Sequence, residues 1–227
     1  QHHGTAVMSY FLARAREQFE AVARINPDDA GAQISLARLD LAAGKPNDAT
    51  QRFQKVLEKD STNLIASLGM AAVSAAKQDA QEAERWLLKA REDHPQSLDT
   101  RLALAQFYLG RRDFGEARKV ADEAMKLAPE NAAAANVLGL AQLGAGDSAG
   151  ALDSFSRAVR LAPRAYGYSL NKARAHVQRR ESGDRARRQS QSRRWPHLRA
   201  PRTTPSSGDG APGGSRTPNR GDPGPPV

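Results

Sequence analysis

The chain has 227 residues, 39% of them hydrophobic but only 5% aromatic, and a formal net charge of +9. It holds no cysteine, which excludes a disulfide framework and cysteine-ligated metals, and no run of 18 apolar residues, which excludes a hydrophobic membrane-spanning helix. The charge is uneven: residues 1–165 carry 21 Lys+Arg against 21 Asp+Glu, so the excess lies wholly in residues 166–227, with 13 basic and 4 acidic groups.

Gln1 is not an initiator methionine and no apolar leader follows it, so the sequence is expected to be a fragment or a processed form. Residues 1–29 are predicted to form a partial unit, one continuous helix near 8–25 with Ala15, Phe19 and Val22 at helical spacing and no turn after Tyr10-Phe11-Leu12-Ala13. From residue 30 the pattern predicts four helix–turn–helix units, 30–63, 64–97, 98–131 and 132–165. In the first, Leu36-Ala37 belong to helix A, Gly44 ends it at positive φ, and Pro46 opens helix B, where a missing N–H costs nothing. Ala49, Phe53 and Val56 then make the inward stripe of helix B. In the middle units Asp79 and Asp113 stand where helix B needs a cap, each three residues before a glutamate, Glu82 and Glu116, which is the pattern of a capping box. The fourth unit repeats the plan with Leu138-Gly139, the turn Gly146-Asp147, and the stripe Ala151, Phe155 and Ala158.

Beyond Pro163 a last helix is predicted over 166–182, its Leu170, Ala173 and Val177 covering the apolar end of the stack. Residues 183–227 hold 8 of the 13 prolines and almost no large apolar side chains. They are expected to be a disordered basic tail or the product of a shifted reading frame, since so little apolar surface cannot offset the entropy of ordering.

One period joins these elements. Pro27, Ser61, Pro95, Pro129 and Pro163 stand 34 residues apart, with Ser61 expected to start a helix as well as a proline would. Ala15, Ala49, Ala83, Ala117 and Ala151 keep the same step, and so do Phe19, Phe53, Leu87, Ala121 and Phe155. Alanine, then an apolar residue four later, then proline eight after that, on a 34-residue period, is the tetratricopeptide signature. The chain resembles that family over residues 8–180. The resemblance implies an all-α fold, a right-handed solenoid of antiparallel helix pairs, and a non-enzymatic scaffold that binds a protein segment in the concave groove of its A helices. The alanine-rich style also resembles the bacterial repeat lipoproteins linked to exosortase (PEP-CTERM) sorting and exopolysaccharide export. That narrower resemblance implies a periplasmic or membrane-associated setting.

Repeats that grip a chaperone's C-terminal carboxylate place lysine, asparagine and further basic groups at set positions. Here those positions hold Ile34, Arg38, Gly69, Asp99 and Ala103, so no carboxylate clamp is expected. The groove implied by the resemblance is lined by Ile34, Arg38, Leu41, Leu68, Ala72, Leu102, Gln106, Leu109, Asn136 and Leu143. It suits an apolar or amphipathic protein or peptide segment, with Arg38, Gln106 and Asn136 as polar anchors. Several of the leucines serve equally to pack helix A on helix B.

No catalytic, cofactor or metal residues are predicted. The five histidines, His2, His3, His94, His176 and His197, include no pair at i, i+4, and no nucleophile elbow or phosphate-binding glycine loop occurs. His94, before Pro95, is expected to face solvent. Two other function classes stay open: a nucleic-acid-associated protein acting through the arginines of the tail, and an accessory region of a larger enzyme. Only Trp195 is available to stack on a base in that arginine-rich stretch, so no specific nucleic-acid site is expected.

Overall fold

The computed structural model describes residues 2–194, with side chains over 10–191, and contacts divide the chain into residues 1–184 and 185–227. The boundaries of its helices follow from side chains that satisfy helix ends. Asp29, Asn63, Ser97 and Asn131 recur every 34 residues, and each accepts the backbone N–H of the third residue on, Ala32, Ala66, Thr100 and Ala134. Each such cap contributes about 1 kcal/mol. They open the A helices α2 (Ala30–Ala42), α4 (Leu64–Ala76), α6 (Leu98–Gly110) and α8 (Ala132–Gly144). Ser61 does not start a helix: it lies in the turn before α4, and Asn63 is the cap.

The B helices are α3 (Pro46–Lys59), α5 (Ala80–Asp93), α7 (Phe114–Leu127) and α9 (Ser148–Leu161). Pro46 opens α3 without a side-chain cap, whereas Asp79, Asp113 and Asp147 accept the N–H of Glu82, Glu116 and Gly150. The capping boxes expected at Asp79 and Asp113 form only in this direction. Each aspartate's own N–H already donates to a carbonyl of the preceding A helix, Asp79 to Ser74 and Asp113 to Tyr108, at 2.9 Å. Glu82 and Glu116 turn instead to Arg85 and Lys119.

Those backward bonds recur from Lys45 to Asp40 and from Asp147 to Gln142, closing a Schellman motif at the end of every A helix. The motif needs one residue at positive φ. Glycine supplies it at Gly44 (70°) and Gly146 (87°), but Gln78 (63°) and Arg112 (61°) take the same conformation with a Cβ. Left-handed geometry costs an L residue roughly 1–2 kcal/mol, partly offset by the greater freedom of glycine in the unfolded chain. Gln78→Gly and Arg112→Gly are therefore each expected to stabilise the protein by about 0.5–1 kcal/mol, read as a higher midpoint of thermal unfolding. An unchanged or lower midpoint would show that these turns are not strained.

Successive A and B helices pack through residues of the same columns. Ala49, Ala83, Ala117 and Ala151 are at most 1% exposed, and Ala37, Ala71 and Ala105 face them from the A helices. Small side chains here let the backbones approach, so bulk is confined to a few places. The Phe53 ring lies over Gly69 of the next A helix, and the Phe155 ring over Gly139 of its own pair, where an added Cβ would stand 2.6 Å from the ring. Contacts also join α2 to α4 and α6 to α8, whereas neighbouring B helices make no comparable contact among the described residues. The A helices thus form the inner side of the stack.

One buried column is polar. Asp40, Ser74, Tyr108 and Gln142 occupy the same place in the four A helices, and each has its own partner. Asp40 accepts from Arg16 and from Arg52, both at 2.8 Å. Ser74 donates to the Met70 carbonyl, Tyr108 to Glu84 at 2.8 Å, and Gln142 accepts from Ser154 at 2.7 Å. Burial, and then the bond to Glu84, push the Tyr108 phenol up to about 12.

Single helices flank the pairs. α1 (His2–Ile25) runs without a turn and is tied to α2 through Arg16. α10 (Tyr166–Arg194) continues past Ser182, so the described residues 183–194 are helical. Residues 195–227, on which the expectations of disorder or a shifted frame otherwise fall, lie outside the described residues. α10 docks through a different face from the one expected. Leu170 and Val177 are more than half exposed and Ala173 is exposed, while Ala175 is buried against Ala151, Leu152 and Phe155. Asn171 donates to Asn136, and Gln178 to the Leu143 carbonyl, from the same side of the helix. His94 also departs from expectation: it is half-buried and its Nε2 lies 2.5 Å from the Thr62 carbonyl, joining two inter-repeat turns.

Candidate functional site

Each A helix presents to the inner side the residues that its packing against helix B leaves over. In α2 this stripe is Gly31, Ile34, Arg38 and Leu41, at i, i+3, i+7 and i+10, and α4 and α6 repeat it with Ile65, Leu68, Ala72 and Ala75, then Asp99, Leu102, Gln106 and Leu109. Between the first three A helices lies a cavity of about 370 Å³. Its floor is apolar, from Leu41, Leu64, Ile65, Leu68 and the Phe53 ring above Gly69, and Ala72 sits at its edge. Arg38 and Asp99 flank it with opposite charges. Both are exposed, and among the described residues neither side chain forms a hydrogen bond or ion pair.

The residues expected to line a groove are distributed unequally around this cavity. Arg38, Leu41, Leu68 and Ala72 meet there. Ile34 is 8% exposed and belongs to the core with Ala37, Phe53 and Val56. Leu102 and Leu109 are half-buried against the central core, and Gln106 is exposed on the same face, one repeat further along. Asn136 and Leu143 are engaged by α10. Sequence reasoning missed Ile65 and Asp99. They share one column two residues into each A helix, so extending the stripe by three positions toward the N-terminus would have found them.

The opposite side offers a hollow of about 340 Å³ along α5, lined among the described residues by Glu82, Arg85, Trp86, Leu88, Lys89 and Glu92. Both of its basic groups are already paired with neighbours, Arg85 with Glu82 and Lys89 with Asp93. Among the described residues no cluster of His, Cys, Asp and Glu fits a metal ion, and no helix is long and apolar enough to cross a membrane.

Stacked antiparallel pairs on a 34-residue period, with the A helices on the inner side, define an α-solenoid of the interaction-scaffold class. Sequence profiles described as tetratricopeptide repeat match residues 40–97, 102–166 and 139–193, and the chain belongs to the tetratricopeptide repeat family. Similar solved structures include TTC0263, a thermophilic TPR protein of Thermus thermophilus, at 23% identity over 75% of this chain and 95% of that one, with a TM-score of 0.62. The pilF protein of Pseudomonas aeruginosa aligns at 24% identity over 67% of this chain and 69% of that one, with a TM-score of 0.60. YrrB, described as a TPR protein with an unusual peptide-binding site, aligns at 22% identity over 73% and 86%, with a TM-score of 0.54. No curated protein matches the sequence.

Proposed function

We propose that this chain is a non-enzymatic scaffold that holds an apolar or amphipathic segment of a partner protein against its A helices, seated in the cavity beside Arg38, Leu68 and Ala72. The observation that carries this reading is an apolar floor flanked by two unpaired charges of opposite sign. Apolar anchors supply affinity in such a groove, and flanking charges fix direction. A bound helix or strand would bring an acidic group to Arg38 and a basic group to Asp99. Under the narrower resemblance to repeat lipoproteins, such a scaffold would act beside exopolysaccharide export or protein sorting.

Ala72→Arg tests the site, because Ala72 is exposed and an arginine there fills the cavity without entering the core. Binding of amphipathic peptides selected on the wild-type protein is expected to weaken at least tenfold, about 1.4 kcal/mol, with an unchanged melting curve. Arg38→Ala with Gln106→Ala should weaken it too, whereas Asn136→Ala should act on the docking of α10. Selected peptides that ignore Ala72→Arg and respond to Arg85→Ala on α5 would move the site to the outer face.

A further inference from the structure

Among the described residues, the full pairs are flanked on each side by a single helix, and the two are of opposite kinds. Residues 12–25 of α1 stand one period before α3, with Ala15 in the column of Ala49, so they are a B helix without its A. Tyr166 stands one period after Ala132, so the first turns of α10 are an A helix without its B. The positive-φ column of the turns, at 44, 78, 112 and 146, falls one period outward at Tyr10 and Arg180. Both residues lie inside helices, because α1 and α10 run straight through these positions. Neither end folds its own missing partner within the described residues.

Two exposed side chains, Val22 and Ala173, lie in columns that such a partner covers elsewhere. Val22 is 42% exposed, while its counterparts Val56, Ala90, Ala124 and Ala158 are at most 4%. Ala173 is exposed, whereas Ala37, Ala71, Ala105 and Gly139 in its column are buried. Around them Tyr10, Phe11, Tyr166, Leu170 and Val177 are all more than half exposed.

We propose that copies of this chain associate head to tail, α10 of one copy pairing antiparallel with α1 of the next to complete a repeat between chains. In the full pairs the small residues of these two columns share a buried cluster, as Ala37 and Ala49 do, or Ala105 and Ala117. Setting Ala173 against Ala15 in the same way brings Tyr166 opposite Val22, Leu170 beside Phe19 and Val177 opposite Phe11. Apolar surface left bare at one end thus meets apolar surface left bare at the other. The interface is heterologous, so it propagates into rings or open chains rather than closing as a symmetric dimer. It leaves the cavity between α2, α4 and α6 free and does not depend on what that cavity binds.

Light scattering of the full chain over a range of concentrations tests this, with two variants at exposed positions in the columns that a partner helix covers elsewhere, Val22→Glu and Ala173→Glu. Wild-type mass is expected to rise with concentration beyond that of a dimer. Each variant alone should stay at the monomer mass of 24.5 kDa with unchanged helical signal. An equimolar mixture should give dimers and nothing larger, since each variant retains one intact end. A wild type that stays monomeric at several hundred micromolar overturns the proposal. So does assembly that only one of the two variants disrupts, because an isologous contact through α1 or α10 alone then explains it.

Discussion

Phe155→Ala is expected to lower the unfolding free energy by about 3–5 kcal/mol, the usual cost of removing a fully buried ring from a core that relaxes only partly. The ring is 0% exposed and lies where α8, α9 and α10 meet, against Ala151, Leu152 and Ala175. Its volume is accommodated by Gly139, so the two residues are coupled. Gly139→Ala alone should cost about 1–3 kcal/mol, because the new methyl overlaps the ring. Combined with Phe155→Leu, it should cost less than the two single changes together, since the slimmer side chain withdraws from the methyl. Urea titrations of the four proteins in this cycle measure the coupling. Strict additivity would mean that the ring does not rest on Gly139.

A second large effect is expected where α1 meets the first repeat. Asp40 is 2% exposed between Arg16 and Arg52, whose side chains are 29% and 30% exposed. That asymmetry decides which change is worse. Asp40→Ala releases two guanidinium groups that reach water by rotation, at about 1.5–3 kcal/mol for the lost charged hydrogen bonds. Arg16→Ala with Arg52→Ala strands a carboxylate with no access to water, and breaking a buried pair in this sense costs about 3–5 kcal/mol. Denaturant unfolding of the two variants should rank them in that order. The reverse ranking would show that packing of the arginine stems, not the charge of Asp40, holds α1 in place.

The period made the helix pairs legible because caps recur at the same positions, with Pro46 replacing one of them, and the same small residues recur beside them, so local signals reinforce one another along the chain. Asp79 and Asp113 could be recognised as caps from their own neighbourhood. The failure of Glu82 to complete its box could not, because the N–H it would reach is claimed by Ser74 on the preceding helix. At α10 the spacing of Leu170, Ala173 and Val177 correctly announces a helix. The face it buries is set by Ala151, Leu152 and Phe155 of α9, against which Ala175 packs, and that is not encoded in the stripe itself. Around the cavity, Arg38 and Leu68 were readable from their place on the A helices. Ile34 shares that spacing yet sits in the core, and Asn136 is occupied by Asn171. Both outcomes depend on neighbours far away in the chain.

The polar column at Asp40, Ser74, Tyr108 and Gln142 bears on how a chain of near-identical units avoids misassembly. Repeat proteins risk folding one unit onto the wrong neighbour, since alanine columns fit one another at any multiple of the period. At the place where Arg52 meets Asp40, the later B helices carry Trp86, Val120 and Ser154. An A helix slipped by one unit would set the carboxylate of Asp40 against an indole, or the phenol of Tyr108 away from Glu84. A wrong neighbour at Asp40, Tyr108 or Gln142 then leaves a buried polar group without its partner, at a cost on the order of 1–3 kcal/mol. The alanines let any two units fit together, and Asp40, Tyr108 and Gln142, which bond to other helices, decide which two do.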